Sequence, residues 1–477
     1  METGTHAESE AAPPRRARGL KRATAIIGVL GFVYLAGRIV ILASGNVETF
    51  FDSFSYASST DPTLNRGPLV SFTGHSPRLW GAPLLFSLFS SDRARATAQW
   101  MIATAAWASV ALVLSTLVRR FAVKITLASL TLLLALTPQV ASWDLAILSE
   151  SLSISLGLIT FACLIGFARD GSRVLLSIGI VSGLWWTFTR PEIRLFVALV
   201  AAMLVWIAVR SRAHRRPASI AALLLVGAIG WCTAIAPTVQ TTFARWSATG
   251  LSLQEETFVF RLMNVIYADP AIQRVYEREL GMPACAGAVR EARARKPQVR
   301  ELADAYRGCP DLKTWGEQNA QNATVRFARV APIAFARLTL DRMPASFAGS
   351  TVYGDAPHII PGVVQMLFPS NAVGTLAVVF GGLGIGAAAF AFARAHRSHR
   401  AVLFIAAMLI ATAFASQLAG LLFAGSEYQR MGIQEAIMVR IAAILLICAA
   451  VDAFLVRSPS APHARRSLPT DQGSFPS

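Results

Sequence analysis

The chain has 477 residues, of which 54% are hydrophobic and only 15% charged, whereas a soluble chain carries about 25% charged residues. This balance excludes an ordinary soluble globular protein. The formal net charge of +17 does not indicate nucleic-acid binding, because the basic residues gather in short turns between apolar segments, where they set membrane orientation and meet anionic headgroups.

Residues 1–22, rich in Ala, Pro and Arg, read as a disordered basic tail. About ten apolar segments of membrane-crossing length follow, with cores near residues 23–44, 99–118, 125–142, 151–168, 174–189, 193–209, 218–237, 372–393, 401–423 and 437–456. The expected fold is therefore an all-α polytopic membrane protein of about ten transmembrane helices. It divides into an N-terminal transmembrane core over 23–237 with an outer loop at 45–98, a helical extracytoplasmic cap over 238–371, C-terminal transmembrane helices over 372–456, and a disordered tail over 457–477.

Arg15, Arg16, Arg18, Lys21 and Arg22 precede the first span, so the positive-inside rule places the amino terminus in the cytoplasm. An even number of spans returns the carboxyl terminus there. Each loop then predicted cytoplasmic is basic: Arg119, Arg120 and Lys124; Arg169 and Arg173; Arg210, Arg212, Arg215 and Arg216; Arg394, Arg397 and Arg400. The first span is long and lacks a small-residue cleavage site, so it reads as a retained anchor in the plasma membrane.

The first outer loop, "NVETFFDSFSYASSTD", sets Asp52, Tyr56 and Asp61 where a hydrophobic helix meets water. Glu48 lies one helical turn before Asp52 and Tyr56 one turn after, so a short helix would align them. Asp52 reads equally well as a base and as the cap of the following "SFSYAS" helix. Glu150, in "LAILSESLSISLGL", stands at the head of the fourth span between apolar residues, where an acid is costly unless it is used or paired. Asp144, beside Trp143, reads as a headgroup-level residue.

Basic partners for an anionic ligand are predicted on the same face. "FTRPEIRLF" brings Arg190, Glu192 and Arg194 into one outer turn, and "GSEYQRMGIQEAIMVR" brings Glu427, Tyr428 and Arg430 into another, with Glu435 and Arg440 just below. Arginine forks suit phosphate oxygens. The alternative is internal pairing, Arg190 with Glu192 or Arg440 with Glu435.

In the cap, Asp269-Pro270 is a helix-start pair with Gly281 as the stop, and Lys296-Pro297 divides two further helical stretches ending near Gly308. An antiparallel arrangement of those stretches would bring Cys285 and Cys309 together as a disulfide on the oxidising side of the membrane; two unpaired thiols are the alternative. Cys163, Cys232 and Cys448 fall inside spans as small packing residues. "GGLGIG" at 381–386 lies in an apolar span, where small residues let helices pack closely. No glycine-rich phosphate loop, HExxH pair, clustered Cys/His set or GxSxG elbow occurs at usable spacing.

The order of a first span, the "DSFSY" acid and tyrosine, the "GHSPRLWGAPLLFSLF" return, "ALTPQVASWDLAILSESLSISLGL", "TRPEIR" and a late "EYQR" resembles the integral-membrane glycosyltransferases of the GT-C superfamily. The likeness is to the branch that uses polyprenyl-phosphate sugars and includes protein mannosyltransferases and lipid A aminoarabinose transferases. It covers roughly residues 23–200 and, loosely, the last spans; the cap has no counterpart in it. The resemblance implies that Asp52 activates the acceptor hydroxyl, that Glu150 has a supporting or metal-binding part, and that Arg190 and Arg430 lie beside the lipid phosphate. Tyr56, Arg194 and Tyr428 complete the substrate-binding candidates. Ser53 follows Asp52 where such enzymes commonly carry a second carboxylate, which leaves the participation of a divalent metal open.

The activity so implied is inverting transfer from a polyprenyl-phosphate-sugar donor to a glycan, lipid or protein acceptor at the outer face. Two other classes fit the same features. One is a transporter or flippase of a lipid-linked or anionic substrate, for which repeats and broken helices are the usual signs; the other is a catalytically inactive GT-C-like scaffold.

Overall fold

The computed structural model describes residues 15–50, 53–57, 70–73, 75–247, 249–349, 361–393, 399–423, 430 and 432–457. Asp52, Asp61, Glu427 and Tyr428 lie outside them. The regular elements among the described residues are helical, and strand pairing there is confined to an isolated parallel bridge between Glu48 and Ala146. In hydrocarbon a helix satisfies its backbone donors and acceptors within one segment.

Ten helices build the membrane region: α1 (Arg15–Ser44), α2 (Asp92–Ser115), α3 (Phe121–Ala135), α4 (Glu150–Asp170), α5 (Arg173–Thr187), α6 (Ile193–Arg210), α7 (Arg215–Ala244), α8 (Ala372–Phe392), α9 (Arg400–Phe423) and α10 (Ile433–Arg457). Eight of them, all but α3 and α5, are long and apolar enough to cross a membrane. The chain is therefore a multi-pass membrane protein. A ninth span results if α3 and the following Pro138–Asp144 segment are taken together across their 59° bend. Proline drives that bend: Thr137 is extended, and Pro138 restarts the helix at a position that needs no N–H.

The expectation of ten full spans is corrected at α5. Its 15 residues rise about 22 Å, short of a hydrocarbon core of about 30 Å. It nevertheless runs antiparallel along α4 from end to end. A Cβ added at Gly166 would lie 2.6 Å from Leu175, at Gly179 3.1 Å from Cys163, and at Gly157 2.8 Å from Trp186, so small residues let the two backbones close. Gly386 does the same for α8, where an added Cβ would lie 3.1 Å from Leu446 on α10.

The turns sort into two ends. At one, the Glu48 N–H donates to the Leu145 carbonyl (3.1 Å) and the Ile147 N–H donates to the Glu48 carbonyl (3.0 Å), joining the turns after α1 and α3. At the other, Asp452 near the end of α10 accepts from the backbone N–H groups of Arg119 (2.9 Å) and Arg120 (2.7 Å) and lies 2.9 Å from His399 Nε2. Asp452 is fully buried, and it ties the α2–α3 and α8–α9 turns to α10.

The cap has its own core, in which Phe258 packs on Trp315 (5.7 Å) and Tyr276 on Phe327 (5.4 Å). Helix Pro270–Arg278 starts on Asp269, whose Oδ1 accepts from the Ala271 N–H at 2.7 Å, and Gly281 turns the chain with φ 71°. Cys285 and Cys309 form a disulfide, with Cα atoms 6.3 Å apart, across the paired helices Ala286–Ala292 and Val299–Arg307. The cap follows directly from α7 at one end and packs into the membrane core at the other. α7 runs through Pro237 to Ala244, past the expected boundary at 237, and helix Pro332–Ala348 ends with Phe347 buried in the membrane core, 5.5 Å from Phe414.

Candidate functional site at the head of α4

The first turn of α4 is polar inside an apolar protein. Successive side chains on a helix diverge by roughly 100°, so Ser149, Glu150 and Ser151 reach three different neighbours. Each of the three is nearly or fully buried.

Glu150 is at the centre. Its Oε1 accepts from Arg430 Nε, just before α10, and lies 3.2 Å from Arg190 Nη1, in the turn between α5 and α6. Arg190 Nε is 2.5 Å from Glu192 Oε1, a contact that is an ion pair by distance although its N–H is poorly aligned for a hydrogen bond. Burial works against the charge on Arg190, but the Glu192 and Glu150 carboxylates more than offset it and hold the guanidinium above its ordinary value. The second oxygen of Glu150, Oε2, has no hydrogen-bonding partner among the described residues.

Ser151 leads to a second buried pair. Its hydroxyl donates to Asp144 Oδ1 (2.5 Å), while Arg38 Nη2 lies 2.5 Å from Asp144 Oδ2. Arg38 sits within α1 and also donates to Thr104 Oγ1 (3.1 Å) and the Ala135 carbonyl (3.3 Å). Asp144, expected at headgroup level, is instead buried, because the bend after α3 turns it inward to neutralise Arg38. Sequence reasoning passed over Arg38, although an ionisable residue in an apolar span is a signal in itself.

Ser149 leads outward. Its hydroxyl donates to Tyr56 Oη at 3.4 Å, and Arg78 stands 4.8 Å from the centre of the Tyr56 ring. Tyr56 is thus in the cluster, with Arg78 as an addition from the "GHSPRLWG" stretch. One turn into α4, Ser153 Oγ accepts from Gln434 Nε2 (2.8 Å) and Trp186 Nε1 (3.1 Å) and lies 3.2 Å from Thr189 Oγ1. The pairing of Gln434 with Ser153 fixes α10 against α4 just below the arginines.

The remaining candidates lie elsewhere. Arg194 donates to the Pro191 carbonyl (2.8 Å) and to Thr233 Oγ1 (3.2 Å) on α7, outside the cluster. Arg440 does not pair with Glu435. It donates to the carbonyls of Leu367 (2.7 Å), Ala436 (2.8 Å) and Phe347 (3.0 Å) and stacks on Phe368 (3.9 Å), clamping the return from the cap onto α10. Glu435 instead accepts from Ser416 on α9. Asp52 and Tyr428 are outside the described residues.

Below Ser153 and Gln434 a crevice opens between α2, α4, α9 and α10. Leu114, Ile154, Phe161, Leu409 and Ile437 make its lining almost wholly apolar. Gln434, which lines this crevice, connects it through Ser153 to the first turns of α4 below the Arg190–Glu150–Arg430 cluster. Among the described residues no three His, Cys, Asp or Glu side chains gather as a metal-binding group, and the carboxylates of Glu150 and Glu192 are turned to arginines. No family model, curated protein or solved structure matches the chain.

Proposed function

We propose that the chain is a membrane glycosyltransferase that moves a sugar from a polyprenyl-phosphate donor to a cell-envelope acceptor at the outer face of the plasma membrane, with both termini in the cytoplasm. The observation that carries this reading is the Arg190–Glu150–Arg430 cluster at the head of an apolar crevice. Two permanently charged forks suit a lipid phosphate, and the apolar lining of the crevice below suits a hydrocarbon chain.

The chemistry is a single displacement. The acceptor hydroxyl oxygen bonds to the anomeric carbon, the bond from that carbon to phosphate oxygen breaks, and the phosphate leaves with the electron pair; the hydroxyl proton passes to a base. One attack from the opposite face inverts the anomeric centre. The arginines stabilise the departing phosphate. Glu150, with Oε1 shared between two guanidiniums, orients both of them in this scheme. The base is Asp52, assigned from the sequence and the resemblance alone, and a base so placed contributes roughly 10² to 10⁴ in rate.

The test is transfer of radiolabelled sugar from a panel of polyprenyl-phosphate donors to a cell-envelope extract by the purified protein. Wild type is expected to transfer, and Asp52→Asn and Arg430→Gln to lose transfer while remaining folded. Absence of transfer by wild type across the panel would sink the enzyme reading. A lipid-linked-substrate transporter is the second reading, favoured by the charged residues buried within spans at Arg38, Glu435 and Arg440; donor translocation without transfer would establish it. An inactive scaffold would do neither.

A further inference from the structure

Glu435 is a buried carboxyl beside this site that its ion pairs do not use. It stands in the first turn of α10, 4% exposed. Its Oε1 accepts from Ser416, while Oε2 has no hydrogen-bonding partner among the described residues. It lies within electrostatic reach of Arg190 and Glu192. Glu150 Oε2 is in the same condition, and Glu150 Oε1 lies 3.2 Å from Arg190 Nη1. Two carboxyl oxygens near one arginine, from α4 and α10, thus have no donor among the described residues.

Buried acceptors left unmade are costly, more so in a membrane. A phosphate at the arginines cannot satisfy them, because phosphate oxygens are acceptors too. What they require is a ligand that carries hydroxyl donors immediately next to its phosphate. A sugar phosphodiester has that pattern.

Resting on the function proposed above, we infer that Glu435 Oε2, together with Glu150 Oε2, accepts hydroxyl groups of the sugar carried by the lipid donor. Glu435 is then a specificity-determining residue, reading the sugar while Arg190 and Arg430 hold the phosphate. Its neighbour Gln434 is already committed to Ser153, which fixes the helix turn that presents Glu435.

The experiment measures the affinity of the purified full chain for bare polyprenyl phosphate and for polyprenyl phosphate bearing mannose, glucose or arabinose. Wild type is expected to bind at least one sugar-bearing lipid more tightly than the bare one. Glu435→Met, which removes both oxygens at similar length, is expected to reduce that preference by about tenfold. If the Met variant does not fold, Glu435→Gln takes its place: it keeps the shape and one accepting oxygen but loses the charge, and a several-fold reduction is expected. An unchanged preference in the variant, or no preference in wild type, overturns the inference and leaves the lipid-phosphate reading standing. If wild type binds neither kind of lipid, both fall.

Discussion

Arg430 and Glu150 stand 280 residues apart in the sequence and form a buried ion pair at the head of α4. The contact joins the last membrane helix to the fourth, and Arg190 closes it from the α5–α6 turn. Three separate stretches of chain therefore meet at one buried carboxylate.

Their coupling is measurable. Removing one member of a buried pair costs roughly 3–5 kcal/mol because the other is left uncompensated. Glu150→Gln is expected to cost more than Arg430→Gln, since it withdraws its charge from two guanidiniums, whereas after Arg430→Gln Arg190 remains with Glu150. The double variant should be less destabilised than the two singles added together, with a coupling on the order of 0.5–3 kcal/mol. Thermal unfolding in detergent gives all four corners of the cycle; strict additivity would mean that the pair does not couple in the folded protein.

Arg38 and Asp144 make a cleaner case, because the pair lies away from the arginine cluster. Asp144→Asn leaves Arg38 buried within α1 and is expected to cost about 3–5 kcal/mol. Arg38→Met combined with Asp144→Leu removes both charges and should recover most of that loss, as apolar replacements of buried pairs commonly do. Yield of monodisperse protein and its unfolding temperature are the readouts. A double variant as poor as the single would show that the remaining bonds of Arg38, to Thr104 and Ala135, carry the stability instead.

These two pairs also mark how far the sequence can be read. The membrane character is legible from hydropathy, and the cap helix at Pro270 from its Asp-Pro start, because both signals are local. The cost of an acid at Glu150 is legible as well, and the same rule points to Arg38 in the first apolar run. Which residues answer those charges is not legible. Arg430 arrives from the far end of the chain, and Asp144 is turned inward by a proline bend whose direction depends on packing. Arg440 is answered by carbonyls of Phe347 and Leu367, groups that every residue carries, so no pattern of side chains announces them. The shortness of α5 is hidden too, because Phe188 carries the apolar run of Trp185 and Trp186 past the helix end at Thr187.

The disulfide in the cap should act locally. It closes a loop of 24 residues, worth about 3 kcal/mol by chain entropy. Replacing both cysteines by serine is expected to loosen residues 286–307, seen as faster hydrogen exchange there, while α4 and α10 keep their protection. Loss of protection in the membrane helices as well would mean that the cap and the site fold as one unit, through α7 and the packed end of helix Pro332–Ala348.

The end of cap helix Pro332–Ala348 meets the start of α10 at Gly432. A Cβ at Gly432 would collide with the Ser346 carbonyl oxygen and come within 2.8 Å of its carbon, a backbone contact that no rotamer change relieves. Gly432→Ala must therefore push apart the end of helix Pro332–Ala348 and the start of α10, at a cost of about 1–3 kcal/mol. Arg430 lies two residues before this contact and Gln434 two after it, so the displacement falls on the bonds to Glu150 and Ser153. Gly384 in α8 is the comparison, since nothing lies within 4 Å of a Cβ there, and Gly384→Ala should be neutral or slightly stabilising by helix propensity. Unfolding temperature separates the two, and affinity for polyprenyl phosphate should fall for Gly432→Ala alone. Equal behaviour of the two variants would show that the helix ends yield without cost and that Arg430 is held by Glu150 rather than by its own backbone.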